Sequence, residues 1–411
     1  MSFPIEEVRA QFPALNIKQQ EQVFPIYFDG PGGTQMAQPC IDRMLEYIST
    51  GMANLHGTFS TSNKTDQLLD EAKSTVGDLL NCDAEEVAFG QNMTSLAFQV
   101  AMSLRKFFKQ GDEILVTQLD HRANVDPWLQ LAKETAARVR FIPVDKENLT
   151  LDLSQLDELI NENTKLVAVG LSSNLTGTIT DPKPIFEKAK AVDAFTIADA
   201  VHAVPHFPVD FKALEVDVLF CSAYKFFGPH LGIAVIKKAL FEKLEVMKLQ
   251  PAPNEIPYRL ETGTQNHEGI AGLCGAINFI GSLGSGDSLR KKLVSGMQAI
   301  EDYEEELIGE LESFLKEIPE VELYRAPENV RKTPTFAFRI KGIHSREATK
   351  FFAEKYNLCI GDGHFYASTM AEVFPVMETG GWIRIGFAPY NTIEEIEIFK
   401  KALKDLILMK V

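Results

Sequence analysis

No apolar run in this chain approaches the roughly 18 residues that a membrane-spanning helix needs, which speaks against a membrane partner. The opening stretch MSFPIEEVRAQFPALN lacks the basic and apolar regions of a signal peptide, so a cytoplasmic location is expected. Cys40, Cys82, Cys221, Cys274 and Cys359 are scattered without a CxxC pair, which argues against a disulfide framework or a thiolate metal site. The eight histidines show no HExxH or HxH spacing, and no metal is expected. Positive charge is short as well: the formal net charge is -16, spread through helices such as EDYEEELIGELESFLKEIPE rather than gathered in a tail. Nucleic acid and anionic membranes are therefore not expected as partners, and the acidity mainly serves solubility. The GPGG near Gly30 lacks both the GK[ST] continuation of a P-loop and the GxGxxG spacing of a dinucleotide turn, so nucleotide binding is set aside. There is no internal repeat or low-complexity tract.

What is present is an ordinary globular composition. With 411 residues, 45% hydrophobic and 24% charged, the chain can bury a sizeable core. Two lobes are expected, because single cores rarely grow past about 300 residues. From about residue 66 to 250, helix-period segments alternate with the short apolar runs EVAFG, EILVTQ, ARVRFIPV, KLVAVGLS, AFTIADA, VDVLFCSA and GIAVIKK. This alternation predicts an α/β fold with a mostly parallel sheet, seven-stranded and covered on both faces. After QPAPNEIP, a helical region over roughly 267–317 precedes strands TPTFAFRI and WIRIGFA and helices SREATKFFAEKY and TIEEIEIFKKALKDLIL, which read as a smaller α+β lobe. The expected division is 21–260 for the large domain, and 1–20 with 261–411 for the small one, interdomain helix included.

Ligands on such sheets sit beyond the C-terminal strand ends, and Thr94, His121, Asn174, Asp199 and Lys225 all fall at or just past those ends. The most telling stretch is TIADAVHAVPHFPVD followed by VDVLFCSAYKFFGPHLGIAVI, in which Asp199 closes one strand-like run and Lys225 follows the next. Either residue alone would read as a solvated loop charge. Together their spacing suits pyridoxal phosphate: a carboxylate can keep a pyridinium nitrogen protonated, while a lysine forms the Schiff base with the cofactor aldehyde. FGQNMTSLAFQVAMSL reads as strand, turn and helix, which puts Met93 and Thr94 at a helix N-terminus suited to phosphate, unless Thr94 merely caps it. Ser222 and Tyr224 flank Lys225 with two further hydroxyls. His121 could stack on a pyridine ring and relay protons, and Asn174 and His202 could hydrogen-bond its hydroxyl; each could instead support a loop.

An ordered set of segments runs through nearly the whole chain: YFDGPGGT, NMTSLAF, LDHRAN, SSNLTGT, ADAVHAVPHFPVD, CSAYKFFGP, ETGTQNHEGIAG and WIRIGFAPYNTIEE. In this set the chain resembles the fold-type I pyridoxal phosphate enzymes of the class V aminotransferase family, in the cysteine desulfurase-like branch. The resemblance implies the type I fold of these transferases and pyridoxal 5'-phosphate as cofactor. It implies Lys225 as the lysine that carries the cofactor, Asp199 as partner of the ring nitrogen and His121 as the ring-stacking group, with Met93, Thr94, Ser222 and Tyr224 around the phosphate. His202 stands where many relatives have glutamine, so the ring hydroxyl would be tuned differently. Thr264 matches a residue that reaches the neighbouring subunit's phosphate, which implies a homodimer with its active sites at the interface. Arg384 matches the arginine that clamps the substrate α-carboxylate, a task suited to its planar fork. Asn174, His56, His364 and Tyr366 would line the substrate side.

The pattern breaks in NLCIGDGHFYAST. Desulfurases of this branch carry there a cysteine that becomes a persulfide, and the matching position is Tyr366; an arginine before the glycine-histidine segment is replaced by Gly361 and Asp362. The expectation is an enzyme that acts on a small L-amino acid through an external aldimine, as an aminotransferase or as a β-eliminating lyase of the C–S type. Two rivals stay open: a desulfurase that uses Cys359 or an external thiol, and a non-catalytic binding protein that keeps the cofactor fold.

Overall fold

The computed structural model describes residues 3–16 and 24–410. Seven short apolar runs, free of interior proline, pair in one sheet: β1 (Val87–Gly90), β2 (Glu113–Thr117), β3 (Arg138–Ile142), β4 (Thr164–Gly170), β5 (Phe195–Asp199), β6 (Val218–Ser222) and β7 (Gly232–Ile236). Their order is β1-β7-β6-β5-β4-β2-β3. All pairings are parallel except those of β7, which is antiparallel to both neighbours. The other six strands thus run the same way, and their C-terminal ends meet along one edge.

Successive side chains leave a strand on opposite faces. Phe89, Leu115, Val167, Leu219 and Ile233 join one core, and Ala88, Ile114, Ala168, Phe220 and Ala234 join the other. Because both faces are covered, the strands read as continuous apolar runs, which is why they are visible in the sequence.

The helical region expected over 267–317 is in fact two helices, His267–Ser282 and Leu289–Glu317. The break falls at LGSGDS, where a Cβ on Gly284 would stand 2.0 Å from the Lys292 carbonyl oxygen. Only glycine lets the two helices fold back this closely, and Ser288 restarts the helix by accepting the Lys291 N–H at 3.3 Å.

The second sheet is antiparallel: β8 (Val321–Tyr324), β9 (Thr335–Ile340), β10 (Gly361–Gly363) and β11 (Trp382–Gly386), in the order β8-β9-β11-β10. The sequence reading missed β10 because glycine and aspartate are poor strand formers; it exists because β11 offers it an edge. One face of this sheet, with Phe336, Phe338, Ile383 and Ile385, buries against helices Leu289–Glu317, Ser345–Tyr356 and Ile393–Lys410. The other face carries Ala337 and Trp382, packed on Leu119 and Leu175 from the loops after β2 and β4. Arg384, two residues from Trp382, shares that face and is thereby aimed at the C-terminal edge of the large sheet.

Segment 3–16 touches both lobes. Phe12 lies 5.6 Å from the Phe227 ring of the large lobe and 4.8 Å from that of Tyr390 in the small one, while Phe3 stacks on Tyr303 at 4.4 Å. Residues 17–20 of the expected N-terminal segment lie outside the described residues. We propose the boundary near 260 as a division of the chain, with His267–Ser282, buried in the core of the large sheet, as the interdomain helix. Among the described residues no helix is long and apolar enough to cross a membrane.

Candidate active site

The C-terminal edge of the large sheet, the turn Pro31–Gly32 and the inner face of the small lobe enclose a cavity of about 1200 Å³. Met93, Thr94, His121, Asn174, Asp199, His202, Ser222, Tyr224, Lys225, His364, Tyr366 and Arg384 all line it. Thr264 and His56 do not: both are exposed, and the His56 ring pairs with Asp66 at 3.1 Å.

Asp199 ends β5 with its carboxylate buried and accepts the Val201 N–H at 2.9 Å. Burial pushes its acid up to about 6, opposed by that hydrogen bond and by Lys225. Lys225 follows β6 in the single turn Ala223–Lys225; its amine donates to the Pro31 carbonyl and lies 4.7 Å from the Tyr224 ring centre. Burial, then the nearby Arg384 guanidinium, pull the amine down to about 7. A lysine in this range is partly neutral at physiological pH and hence nucleophilic. The initial rate at which the apoprotein takes up pyridoxal phosphate is accordingly expected to rise with pH to a half-maximum near 7. Absorbance stopped-flow at constant ionic strength checks this, and a rate still climbing steeply in strongly alkaline buffer would contradict it.

His121 accepts the Ala123 N–H at Nδ1 over 3.0 Å, which leaves the proton of the neutral ring on Nε2. Burial, then Lys225, Arg384 and His364, hold its pKa down to about 4, so it presents an uncharged flat ring to the cavity. Arg384 donates from Nη1 to the Asn174 carbonyl and from Nη2 to Asp29, each at 3.0 Å, and its guanidinium lies 3.9 Å from the centre of the Phe365 ring. At the opposite end, Asn92 caps the helix Met93–Leu104 by accepting the Ser95 N–H at 2.9 Å. The preceding N–H groups, those of Met93 and Thr94, belong to the unpaired first turn and favour an anion. A Cβ on Gly232 would stand 2.2 Å from the Asn92 carbonyl carbon, so glycine at the start of β7 lets this turn seat against the sheet.

Among the described residues, four buried polar atoms on residues that line the cavity have no hydrogen-bond partner: Ser172 Oγ, Asn174 Oδ1, His202 Nδ1 and Arg384 Nε. Each such atom costs about 1–3 kcal/mol if left unpaired. With a buried carboxylate, a near-neutral lysine and a helix N-terminus around the same space, the donor set fits pyridoxal phosphate. Among the described residues no group of three or more His, Cys, Asp or Glu is placed to hold a metal ion.

Two residues of the site escaped the sequence reading. Asp120 accepts the Gly170 N–H at 3.0 Å and the Asn124 amide at 2.7 Å, tying the ends of β2 and β4 together, and burial raises its acid to about 7. A carboxylate directly beside His121 at a strand end was the available signal. Asp29 lies in YFDGPGGT, but its partner Arg384 is 355 residues away and no local pattern links them. Cys359 sits on the short strand Leu358–Cys359 beside Ile26–Tyr27, its thiol pushed up by burial and by Asp29. No cysteine among the described residues lines the cavity.

Known proteins are similar to this chain over nearly its whole length. The family described as aminotransferase class-V matches residues 26–399. A cysteine desulfurase of Serratia proteamaculans is 31% identical over 413 residues, covering 97% of this chain and 97% of its own. The apo structure of a cysteine desulfurase from Thermococcus onnurineus superposes with a TM-score of 0.87 at 27% identity, covering 99% of this chain and 98% of that one. An Escherichia coli cysteine desulfurase in its S-sulfonic acid form gives 0.86 at 25% identity, with 100% of both chains covered. The lysine and carboxylate at the ends of neighbouring strands thus sit in a sheet whose relatives are known, and the chain belongs to the class V aminotransferase family, as an enzyme dependent on pyridoxal phosphate.

Proposed function

We propose that the enzyme acts on a small L-amino acid, as an aminotransferase or as a lyase that releases a β-substituent, sulfur-containing ones included. The observation that carries this reading is that Lys225, Asp199 and Arg384 share one cavity that no cysteine of the described residues lines. Bound pyridoxal phosphate supplies the sink for the electrons left on the α-carbon. Asp199 would hold the proton of the ring nitrogen. The N–H groups of Met93 and Thr94, with the Ser222 and Tyr224 hydroxyls, would bind the phosphate, and His121 would pack its neutral ring on the cofactor. Arg384, which lines the cavity, would take the α-carboxylate. Lys225 Nζ, its pKa lowered to about 7, would take the α-proton and hand it on to an atom other than the α-carbon, in a lyase the departing β-substituent. A persulfide route through Cys359 is disfavoured, because that thiol is held up and so is poor in thiolate. Asn174, His364 and Tyr366 would face the substrate.

We also place the enzyme in the cytoplasm and as a homodimer, the partner contributing Thr264 and His56. The support is apolar surface on the segment that carries His56: Leu45, Ile48, Met52 and Phe59 are 47–59% exposed, more than an isolated chain gains from leaving uncovered.

The test is an absorbance spectrum of the purified protein during addition of single L-amino acids, followed by keto acid, ammonia and sulfide assays. A band that moves with one amino acid identifies the substrate; release of ammonia separates the lyase from the transaminase. A protein that binds the cofactor but responds to no amino acid would favour the binding-protein reading. Arg384→Gln is expected to raise KM for that amino acid by roughly 30- to 1000-fold, the equivalent of about 2–4 kcal/mol for a buried charged contact, with a smaller change in kcat. The amide of the same amino acid, which lacks the carboxylate, serves as control and should be indifferent to the substitution.

A further inference from the structure

We propose, on the reading that Arg384 takes the α-carboxylate, that Asp29 is a specificity-determining residue: it closes Arg384 in the empty site, and a substrate enters by exchanging its own carboxylate for that of Asp29. The Arg384 side chain is only 4% exposed. Nη1 donates to the Asn174 carbonyl oxygen and Nη2 to Asp29 Oδ1, each at 3.0 Å. Nε is buried, and the Phe365 ring centre lies 3.9 Å from the guanidinium. So enclosed, Arg384 offers an arriving carboxylate no open pair of N–H groups, and one of its neighbours has to leave.

The neighbours are not equally free to do so. The Asn174 carbonyl is main chain, and the amide of the same residue donates to the Phe365 carbonyl oxygen at 2.9 Å, which ties those two together. Asp29 is held less tightly. Its side chain is 45% exposed, and Arg384 is its one ion-pair partner among the described residues. A Cβ at position 361 would stand 3.5 Å from Asp29 Oδ1, but the residue there is glycine and supplies no second cation. A half-exposed carboxylate can turn into water at small cost; a buried guanidinium cannot.

The exchange also keeps the charge balanced. Burial lowers the pKa of Arg384, and Asp29 is the strongest influence against it. A buried cation left alone is costly, so the empty site needs a carboxylate of its own. When the substrate carboxylate arrives, one anion replaces another. A ligand without a carboxylate has nothing to put in that place and leaves the pair shut, so Asp29 favours amino acids over simple amines. The turn is shaped for this contact at Gly32. Its φ lies outside the left-handed region, so the backbone does not require glycine there. Yet a Cβ would stand 2.3 Å from Asp29 Oδ2, and the three atoms nearest to it all belong to the Asp29 carboxylate. Glycine lets that carboxylate fold in behind a residue that lines the cavity.

Calorimetric titration of the holoenzyme with propionate, which has the carboxylate and no amine, tests the exchange, with propionamide as the uncharged control. A ligand that must displace Asp29 binds more weakly by the fraction of sites that stand open. Asp29→Asn weakens the closure, so propionate is expected to bind about 5- to 50-fold more tightly than to the wild type, with propionamide unaffected. Gly32→Ala keeps the charge but pushes the carboxylate off Arg384, and should also tighten propionate binding. It separates the contact from a change in net charge, and it stands in should Asp29→Asn not fold. Equal or weaker propionate binding in either folded variant would overturn the proposal, because Asp29 would then steady Arg384 rather than compete for it. Propionate binding that survives Arg384→Gln is a distinct failure, which would remove Arg384 as the carboxylate site and refute that part of the proposed function.

Discussion

Lys225→Ala is expected to remove the cofactor's lysine-linked absorbance and to lower kcat by at least about 10³-fold, within the range associated with losing a positioned base. Two tasks fall on one amine: attachment of the cofactor and transfer of the α-proton. Lys225→Arg keeps a cation of similar reach, yet its guanidinium stays protonated at every accessible pH, so it should be as inactive. The stability of the apoprotein is a separate readout with a definite sign. The free amine titrates at 10.5 and the folded one at about 7. Between those values the unfolded chain binds a proton that the folded chain refuses, so acidification through this window costs stability. Lys225→Ala removes that cost, and its melting temperature near neutral pH should be equal to or above that of the wild type. Thermal melts and steady-state kinetics of the same preparations check both. A variant that keeps the wild-type band and turnover would refute the assignment of Lys225.

Asp199→Asn is the second large effect. The substitution preserves size and an oxygen able to accept the Val201 N–H, now made at 2.9 Å, but removes the charge. If Asp199 holds the proton of the ring nitrogen, kcat should fall by about 10²–10³-fold, as when one preorganised electrostatic contact to the developing charge is lost. The pH behaviour of the apoprotein gives an independent check. The folded acid sits at about 6 against an ordinary 3.8, so the group contributes stability below 3.8 that is lost as pH rises through 6. The asparagine variant should therefore match or exceed the wild type at neutral pH in denaturant melts, without that advantage at low pH. Unchanged kcat would exclude Asp199 from the cofactor's ring nitrogen.

Much of the large lobe was legible because of how it is buried. β4, β5 and β6 are covered on both faces, so burial wrote uninterrupted apolar runs, and the first polar residue past each run marked the edge where ligands collect. Asp199 and Lys225 could be found in this way from their own neighbourhoods. β10, with two glycines in three residues, carries no such mark, and the break between His267–Ser282 and Leu289–Glu317 was written in Gly284 and Gly286 but outweighed by the helical periodicity on either side.

By itself the sequence determined the α/β architecture, the cofactor and most of the side chains it singled out as cavity-lining, because those depend on burial pattern and on residue types within a few positions of a strand end. Only the tertiary structure decided the electrostatic state of the site. The pairing of Arg384 with Asp29 and the grip of Thr333 and Thr335 on His202 join residues more than a hundred positions apart. The pull on Lys225 combines its own burial with an arginine from the other lobe. Coulomb and hydrogen-bond energies depend on distances of a few ångströms in a medium of low polarity, and those distances exist only once the two sheets have closed on each other.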